Sequence, residues 1–269
     1  MSDNRALRRC VLNYRDMTWK GAKGAADRDA LLLLPVGSLE QHGPHLPLST
    51  DSLEVSRWCG MVADRRPAVV LPCVEYTVHS RPKFGGAGGD FPGSVGIPGS
   101  VLCDLVMAVL RDLFRQGFRQ VAVLNGHWEN TTYLTDAIGA AVTEWNSSKV
   151  LLINWWELVA EVDMVRLMSD IPGGFRGWEA EHAGTIETSL VQYFEPGLVR
   201  TDLMGFAGGA ERRPGYDIFP TPGDVVPKSG VMGSAVHATE GLGHAVALHV
   251  AELIIDVLEA EFPQRPANH

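Results

Sequence analysis

The sequence predicts an α/β protein whose mainly parallel sheet carries helices on both faces. Two observations lead there. The run Leu31–Val36 is apolar throughout and is closed by Gly37, the pattern of a strand buried on both faces. Short apolar runs of this kind then alternate with helix-period segments over at least three units, the order that crossover helices and a parallel sheet produce.

A polar N-terminal stretch precedes that first strand. Asp51 reads as the N-cap of a helix reaching about Asp64, and 68–73 as a second short strand. Residues 81–100 hold seven glycines and three prolines, which excludes regular structure and predicts a long loop shaping a site. Leu102, Leu105, Val109, Leu113 and Phe114 recur at helical spacing, and Gly117 stands where that helix would turn at its C-terminus. A strand at 120–124, a helix at 131–145 and the strand Lys149–Asn154 follow. The helix Thr185–Phe194, a Gly/Pro-rich polar segment at 205–233 and a terminal helix at 243–262 complete the order, without internal repeats.

With 269 residues, 45% of them apolar, one sizeable core and a single domain over 1–269 are expected. The opening Met-Ser-Asp-Asn-Arg lacks the charged-then-apolar run of a signal peptide, and Leu31–Val36 is too short to cross a bilayer. A cytoplasmic protein with no membrane partner is therefore expected. Cys10, Cys59, Cys73 and Cys103 occur singly, without CxxC spacing, and read as reduced thiols. A formal charge of -9 with no basic run argues against nucleic acid and leaves a small molecule as the fitting partner. The glycine run at 85–89 lacks GxGxxG spacing, which argues against NAD.

Parallel sheets hold ligands beyond the carboxyl ends of their strands. Two loops there carry the same combination. Glu40 and His42, with Asp51 beyond them, follow the first strand; His127 and Glu129 follow the strand at 120–124. Each loop supplies an imidazole and a carboxylate two residues apart, beside glycines that let backbone approach closely. Together the five groups are about what two divalent ions need if one carboxylate bridges them and positions stay open for water. Nitrogen and oxygen donors without thiolate suit zinc or manganese, and such ions polarise a carbonyl and lower the pKa of a bound water.

His45 reads as a loop histidine fixing a turn, and His237, His244 and His249 as packing or surface residues. A second cluster begins with Trp155 and Trp156 at the end of Lys149–Asn154 and continues with Trp178, Glu179, Glu181 and His182, just before the helix carrying Glu187. The tryptophans form either a substrate wall or part of the core. His182, beside small residues at a helix start, is better placed for function.

At these residues the chain resembles the creatininase (creatinine amidohydrolase) family over nearly its whole length. Leu34-Pro35-Val36-Gly37-Ser38-Leu39-Glu40-Gln41-His42-Gly43 looks like the family's first metal motif and Asn125-Gly126-His127 like its second. Trp128-Glu129-Asn130 is similar to the creatininase pattern of an aromatic followed by Glu-Asn. Gly177-Trp178, Glu181-His182, Glu187-Thr188-Ser189-Leu190 and Tyr216-Asp217 followed by Phe219-Pro220 also look like creatininase.

The resemblance implies a three-layer α/β/α sandwich assembling as a hexamer. Glu40, His42, Asp51, His127 and Glu129 would hold two divalent ions, zinc or manganese or both, with Asp51 bridging. His182 would shuttle protons, with Glu129 in the same catalytic set and Glu187 orienting His182 or a bound water. Trp156 and Trp178 would flank the substrate, with Trp128 and Glu179 in the pocket. The implied reaction is metal-dependent hydrolysis of a cyclic amide, creatinine to creatine first, another cyclic amide or a formamide as the alternative. A catalytically silent binding protein is the contrary expectation, disfavoured because every implied ligand is present. Two departures bear on the substrate: Trp128 stands where the creatininase pattern has tyrosine, and Glu179 where it has aspartate.

Overall fold

Five strands form one sheet in the computed structural model, which describes residues 12–81, 90–205 and 214–263. They are β1 (Leu12–Asn13), β2 (Leu31–Val36), β3 (Val69–Val70), β4 (Gln120–Asn125) and β5 (Lys149–Asn154), in the spatial order β1-β3-β2-β4-β5 and all parallel. β2 pairs with β4 from Leu31–Gln120 to Val36–Asn125, so the loops leaving these two strands emerge side by side. The chain runs outward from β2 to β3 and then returns to β4 on the other side of β2. That reversal is the switch point where open parallel sheets form a ligand crevice.

Every residue of β2 is buried, as its continuous apolar run predicts. Leu31 and Leu33 face α2 (Thr50–Arg65), α7 (Thr185–Phe194) and α8 (Glu240–Glu261), while Leu32, Leu34 and Val36 face α1 (Trp19–Asp27), α3 (Gly99–Arg115) and α4 (Asn130–Glu144). Helices on both faces make the three layers. The short helices α5 (Trp155–Leu158) and α6 (Glu161–Leu167) extend the first face. By length and composition α8 could cross a membrane. Its apolarity has another cause: Val246, Val250, Ile254 and Leu258 are fully buried in the core against α2 and α7.

Several expectations need correction. Ser49 is the N-cap of α2, and Asp51 lies inside its first turn, turned toward the crevice. The strand at 68–73 shrinks to Val69–Val70 with one further bridge from Val36 to Val74, because Pro72 has no N–H for the ladder. On α3 the buried stripe is Leu102, Val106, Leu110, Leu113 and Phe114, with Leu105 exposed. Leu102, Leu113 and Phe114 are buried as expected and Val109 packs against the core, whereas Leu105 lies toward the charged face of Asp104, Arg111, Asp112 and Arg115.

α1 lies in the stretch read only as polar. Gly21 and Gly24 lower its propensity and only Ala25 and Ala26 are buried, so its apolar signal is weak. The expected positive φ at Gly117 is present, +105°. Residues 90–98 contain no helix and a single bridge, Thr77 to Gly96. Cys59, Cys73 and Cys103 are free thiols. Cys10, the glycine run at 85–89 and 206–213 of the polar segment lie outside the described residues.

Candidate active site

Three elements converge on the crevice. In the loop after β2, His42 Nδ1 lies 3.1 Å from the carbonyl oxygen of Glu40. A carbonyl only accepts, so Nδ1 carries the proton and Nε2 keeps a lone pair for a ligand role. In the loop after β4, the Asn125 side chain accepts from His127 N (3.1 Å) and donates to Asn154 Oδ1 (2.8 Å), while Asn130 donates to Gly37 O at 3.0 Å and ties the two loops together. The first turn of α2 rests on the β4 loop. A Cβ on Gly126 would stand 2.7 Å from the carbonyl oxygen of Asp51, so glycine is what allows the approach.

Asp51 reaches both loops at once. Its Oδ1 is 3.0 Å from His42 Nε2 and its Oδ2 is 3.0 Å from His127 Nδ1. Glu40 Oε2 lies 3.3 Å from His127 Nδ1, and Glu187 Oε2 3.7 Å from His42 Nε2. Glu40, Asp51 and His127 form one group able to hold a cation and His42, Asp51 and Glu187 another; Glu40, His42 and His182 form a third. All ligand atoms within each group lie within 4.8 Å of one another.

Glu40, His42, Asp51 and His127 are each at most 4% exposed. Both Glu40 carboxylate oxygens, Asp51 Oδ2 and the Nε2 atoms of His42 and His127 have no hydrogen-bond partner. Their short contacts are thus not aligned as hydrogen bonds. Leaving such groups buried and unsatisfied is costly, and divalent cations are what this set of orphaned oxygen and nitrogen donors fits.

The electrostatics agree. Burial alone would raise the Asp51 carboxyl, but His42 and His127 hold it well below the usual carboxylate range. Burial would lower His127, yet Glu40 and Asp51 outweigh it and push the imidazole up to about 10. Burial pushes Glu187 up to about 8. His182 is pushed well below the ordinary imidazole value, chiefly by burial and then by His42, whose ring centroid is 4.4 Å away. His45 bears out its reading as a structural histidine: it is buried, its Nε2 lies 2.9 Å from Thr188 Oγ1, and burial lowers it to about 4.

Glu129 stands at the margin of the donor groups. Its carboxylate accepts from Ser80 Oγ and Arg81 N, both at 3.2 Å, and lies 3.6 Å from His127 Nε2. Glu187, expected to orient His182 or a water, faces His42 and accepts from Ala183 N at 2.6 Å. Two neighbours, Gln41 beside His182 and Ser80 beside Glu129, went unread in the sequence. Gln41 is flanked by two predicted ligands, the one available signal; Ser80 offers none.

A cavity of about 80 Å3 opens over the donors, walled by Trp128, Trp155, Trp156, Trp178, Glu179 and His182. Trp128 stacks on Trp156 with centroids 5.2 Å apart and planes 12° from parallel. Trp155 meets Trp156 and Trp178 edge-on and also packs on Trp58, so it serves as both wall and core. A larger cavity of about 630 Å3 lies at the other ends of the strands, beside Leu31, Arg66 and Phe262. With one carboxylate, Asp29, and no imidazole, its described lining offers no comparable donor set.

A family model described as creatininase, creatinine amidohydrolase, matches residues 15–258. The chain belongs to the creatininase family. It is 34% identical over 254 residues to creatinine amidohydrolase of Pseudomonas putida, covering 92% of this chain and 96% of that one. The crystal structure of a creatininase superposes with a TM-score of 0.89 at 32% identity, over 95% of this chain and 100% of that one. Creatininase structures in a manganese form and in a zinc–zinc variant form, each at 32% identity and a TM-score of 0.88, cover 94% of this chain and 100% and 99% of theirs. More distant is 3-dehydro-scyllo-inosose hydrolase of Thermotoga maritima, at 26% identity over 93% of this chain and 84% of its own length. The protein is a creatininase-family hydrolase, and its carboxylate and histidine groups could hold two metal ions.

Proposed function

We propose that this hydrolase opens a cyclic amide, converting creatinine to creatine. The observation that carries the reading is Asp51, with one oxygen at each of two histidine-containing donor groups beneath a tryptophan-walled pocket. Glu40, His42, Asp51 and His127 would hold two zinc or manganese ions, with Asp51 between them and Glu187 and Glu129 completing the set. When bound, such ions supply a polarised amide carbonyl and a hydroxide nucleophile near neutral pH.

The chain's own residues do the rest. His182 carries a proton to the departing ring nitrogen; its burial keeps it neutral at rest and so able to accept one first. Trp156 and Trp178 stack on the flat, guanidine-like ring, more strongly if that ring is cationic, and with Trp128 they exclude water. Glu179 lies at the same wall and sets the charge the ring meets. We further propose a cytoplasmic hexamer, the assembly to be read by light scattering.

A second reading, hydrolysis of a different cyclic amide or a formamide, is favoured by Trp128. Its indole covers a face of Trp156 and narrows the pocket. Relatives named as a 3-dehydro-scyllo-inosose hydrolase and a mycofactocin precursor peptide peptidase illustrate how far substrates diverge in this family. The test is creatine formation from creatinine with and without added manganese or zinc, beside His182→Ala and a panel of hydantoins, lactams and formamides. Metal-dependent turnover that collapses in the variant is expected; inert creatinine with turnover of another amide would transfer the conclusion to the second reading.

A further inference from the structure

We propose that Asn154 is the positioning residue of the stacked pair Trp128 and Trp156: it ties the loop that carries Trp128 to the helix that carries Trp156, and so fixes the width of the pocket over the donors. The proposal rests on the reading of these tryptophans as the substrate wall. Asn154 ends β5, directly before α5, and stands opposite Asn125 of β4 in the sheet. Both residues are buried, Asn125 completely. An asparagine at the N-cap of a helix ordinarily turns its side-chain oxygen to a backbone N–H of the first turn. Asn154 makes no such bond to α5. Its oxygen instead accepts from Asn125 Nδ2 at 2.8 Å, across the sheet.

The direction of these bonds follows from one donor. His127 N lies 3.1 Å from Asn125 Oδ1, and because a backbone N–H only donates, that atom is the amide oxygen. Asn125 Nδ2 is then the nitrogen, and it donates to Asn154 Oδ1 and to Thr131 Oγ1, the latter at 3.3 Å. The Thr131 hydroxyl has two acceptors for its one proton, Trp128 O at 2.9 Å and Asn154 Oδ1 at 3.2 Å. Asn154 Nδ2 donates to Glu157 Oε2 at 3.1 Å, one residue beyond Trp156. Asn125 and Thr131 bracket Trp128 in the chain, and Asn154 Oδ1 is the acceptor that both of them meet.

The stack depends on this seam. Trp156 is buried on α5, whereas Trp128 is 43% exposed and has little core around it to hold its indole. An offset parallel pair keeps its attraction only within a narrow range of separation and tilt, and this one stands at 5.2 Å and 12°. A β4 loop free to slide against α5 would open the stack and the pocket together. None of the bonds made by the Asn154 side chain reaches Glu40, His42, Asp51 or the His127 ring. A substitution there acts on the wall and leaves the donors in place.

The test uses the full chain loaded with zinc and labelled with fluorotryptophan, as wild type, Asn154→Ala and Asn154→Asp, with Trp128→Phe and Trp156→Phe to assign the two 19F resonances. Alanine removes the acceptor; aspartate keeps an acceptor for Asn125 and Thr131 and gives up the amide donor toward Glu157. Expected in Asn154→Ala are moved Trp128 and Trp156 resonances, a KM for creatinine raised by about tenfold, a kcat within about threefold and unchanged zinc content. Asn154→Asp should keep both resonances near their wild-type positions and KM within about threefold. Should the alanine chain not fold, Asn154→Ser, too short to reach Asn125, replaces it under the same expectations. Unmoved resonances in the shortened variant, an aspartate variant as impaired as that one, a loss confined to kcat, or a change matched by loss of zinc would overturn the proposal. If the wild type leaves creatinine untouched, the proposed function fails, and the 19F resonances alone still decide whether Asn154 holds the pair.

Discussion

Asp51 presents one carboxylate oxygen to His42 and the other to His127, both at 3.0 Å. Removing it breaks both donor groups together, so Asp51→Ala should lose both metal ions, read by elemental analysis, and lower turnover by about 100- to 1000-fold or more. Trp128 acts on a different quantity. Trp128→Tyr removes the stacked indole from Trp156 while leaving the donors intact, and should change kcat/KM for creatinine by about tenfold or more at unchanged metal content. A value within twofold, about the noise of such a comparison, would place specificity elsewhere in the wall. Glu40, His42 and His127 were legible as donors because repeated imidazole–carboxylate pairs at strand ends are rarely ordinary loop polarity. Asp51 read both as one of the five donors and as a helix cap, because an Asp at a helix start commonly is one. What separates a cap from a ligand is the neighbour its carboxylate meets, and here those neighbours come from two other loops.

The first turn of α2 and the loop after β4 form one unit. Gly126→Ala would bring a Cβ within 2.7 Å of Asp51 O and 2.8 Å of Val55 Cγ1. The helix would have to retreat, costing about 1–3 kcal/mol of stability and moving Asp51 from both histidines. A lower Tm together with weaker metal retention is expected; a lower Tm with undiminished metal affinity would show that α2 and the donors are not coupled. Elements with strong patterns, β2, β4, β5 and α7, stood where the sequence put them. α1 did not show, because two glycines lower its propensity and its buried face is only two alanines, and α3 showed with one residue misplaced, Leu105, which lies exposed beside the buried stripe.

For the molecule as a whole, protons and metal ions compete for the same buried donors. Glu187 is raised from 4.5 to about 8 and His127 from 6.5 to about 10. Each binds its proton more tightly folded than unfolded, so each contributes stability that is full below its unfolded value and is lost as pH rises through its folded one. The windows overlap between 6.5 and about 8. Stripped of metal by a chelator, the protein should lose Tm steadily across that interval. With zinc or manganese in excess, the donors stay deprotonated, Tm should rise by mass action, and the decline should flatten. Metal uptake at pH 7 should also release protons, measurable by titration calorimetry in buffers of different ionisation enthalpy. Tm curves that run parallel with and without metal would contradict the linkage.

The sequence alone determined the layer architecture and most of the candidate donor set, because strand burial writes continuous apolar runs and clustered polar donors write short local patterns. Its resemblance to the creatininase family added the roles implied for His182 and the tryptophans, which the sequence had already picked out. Only the tertiary structure decided that Asp51 faces both histidines, that Glu187 belongs with the donors, and that Trp128 lies flat on Trp156. Each of these is a contact between residues far apart in the chain. Such contacts depend on which loop a strand order brings alongside which, and local periodicity carries no record of that.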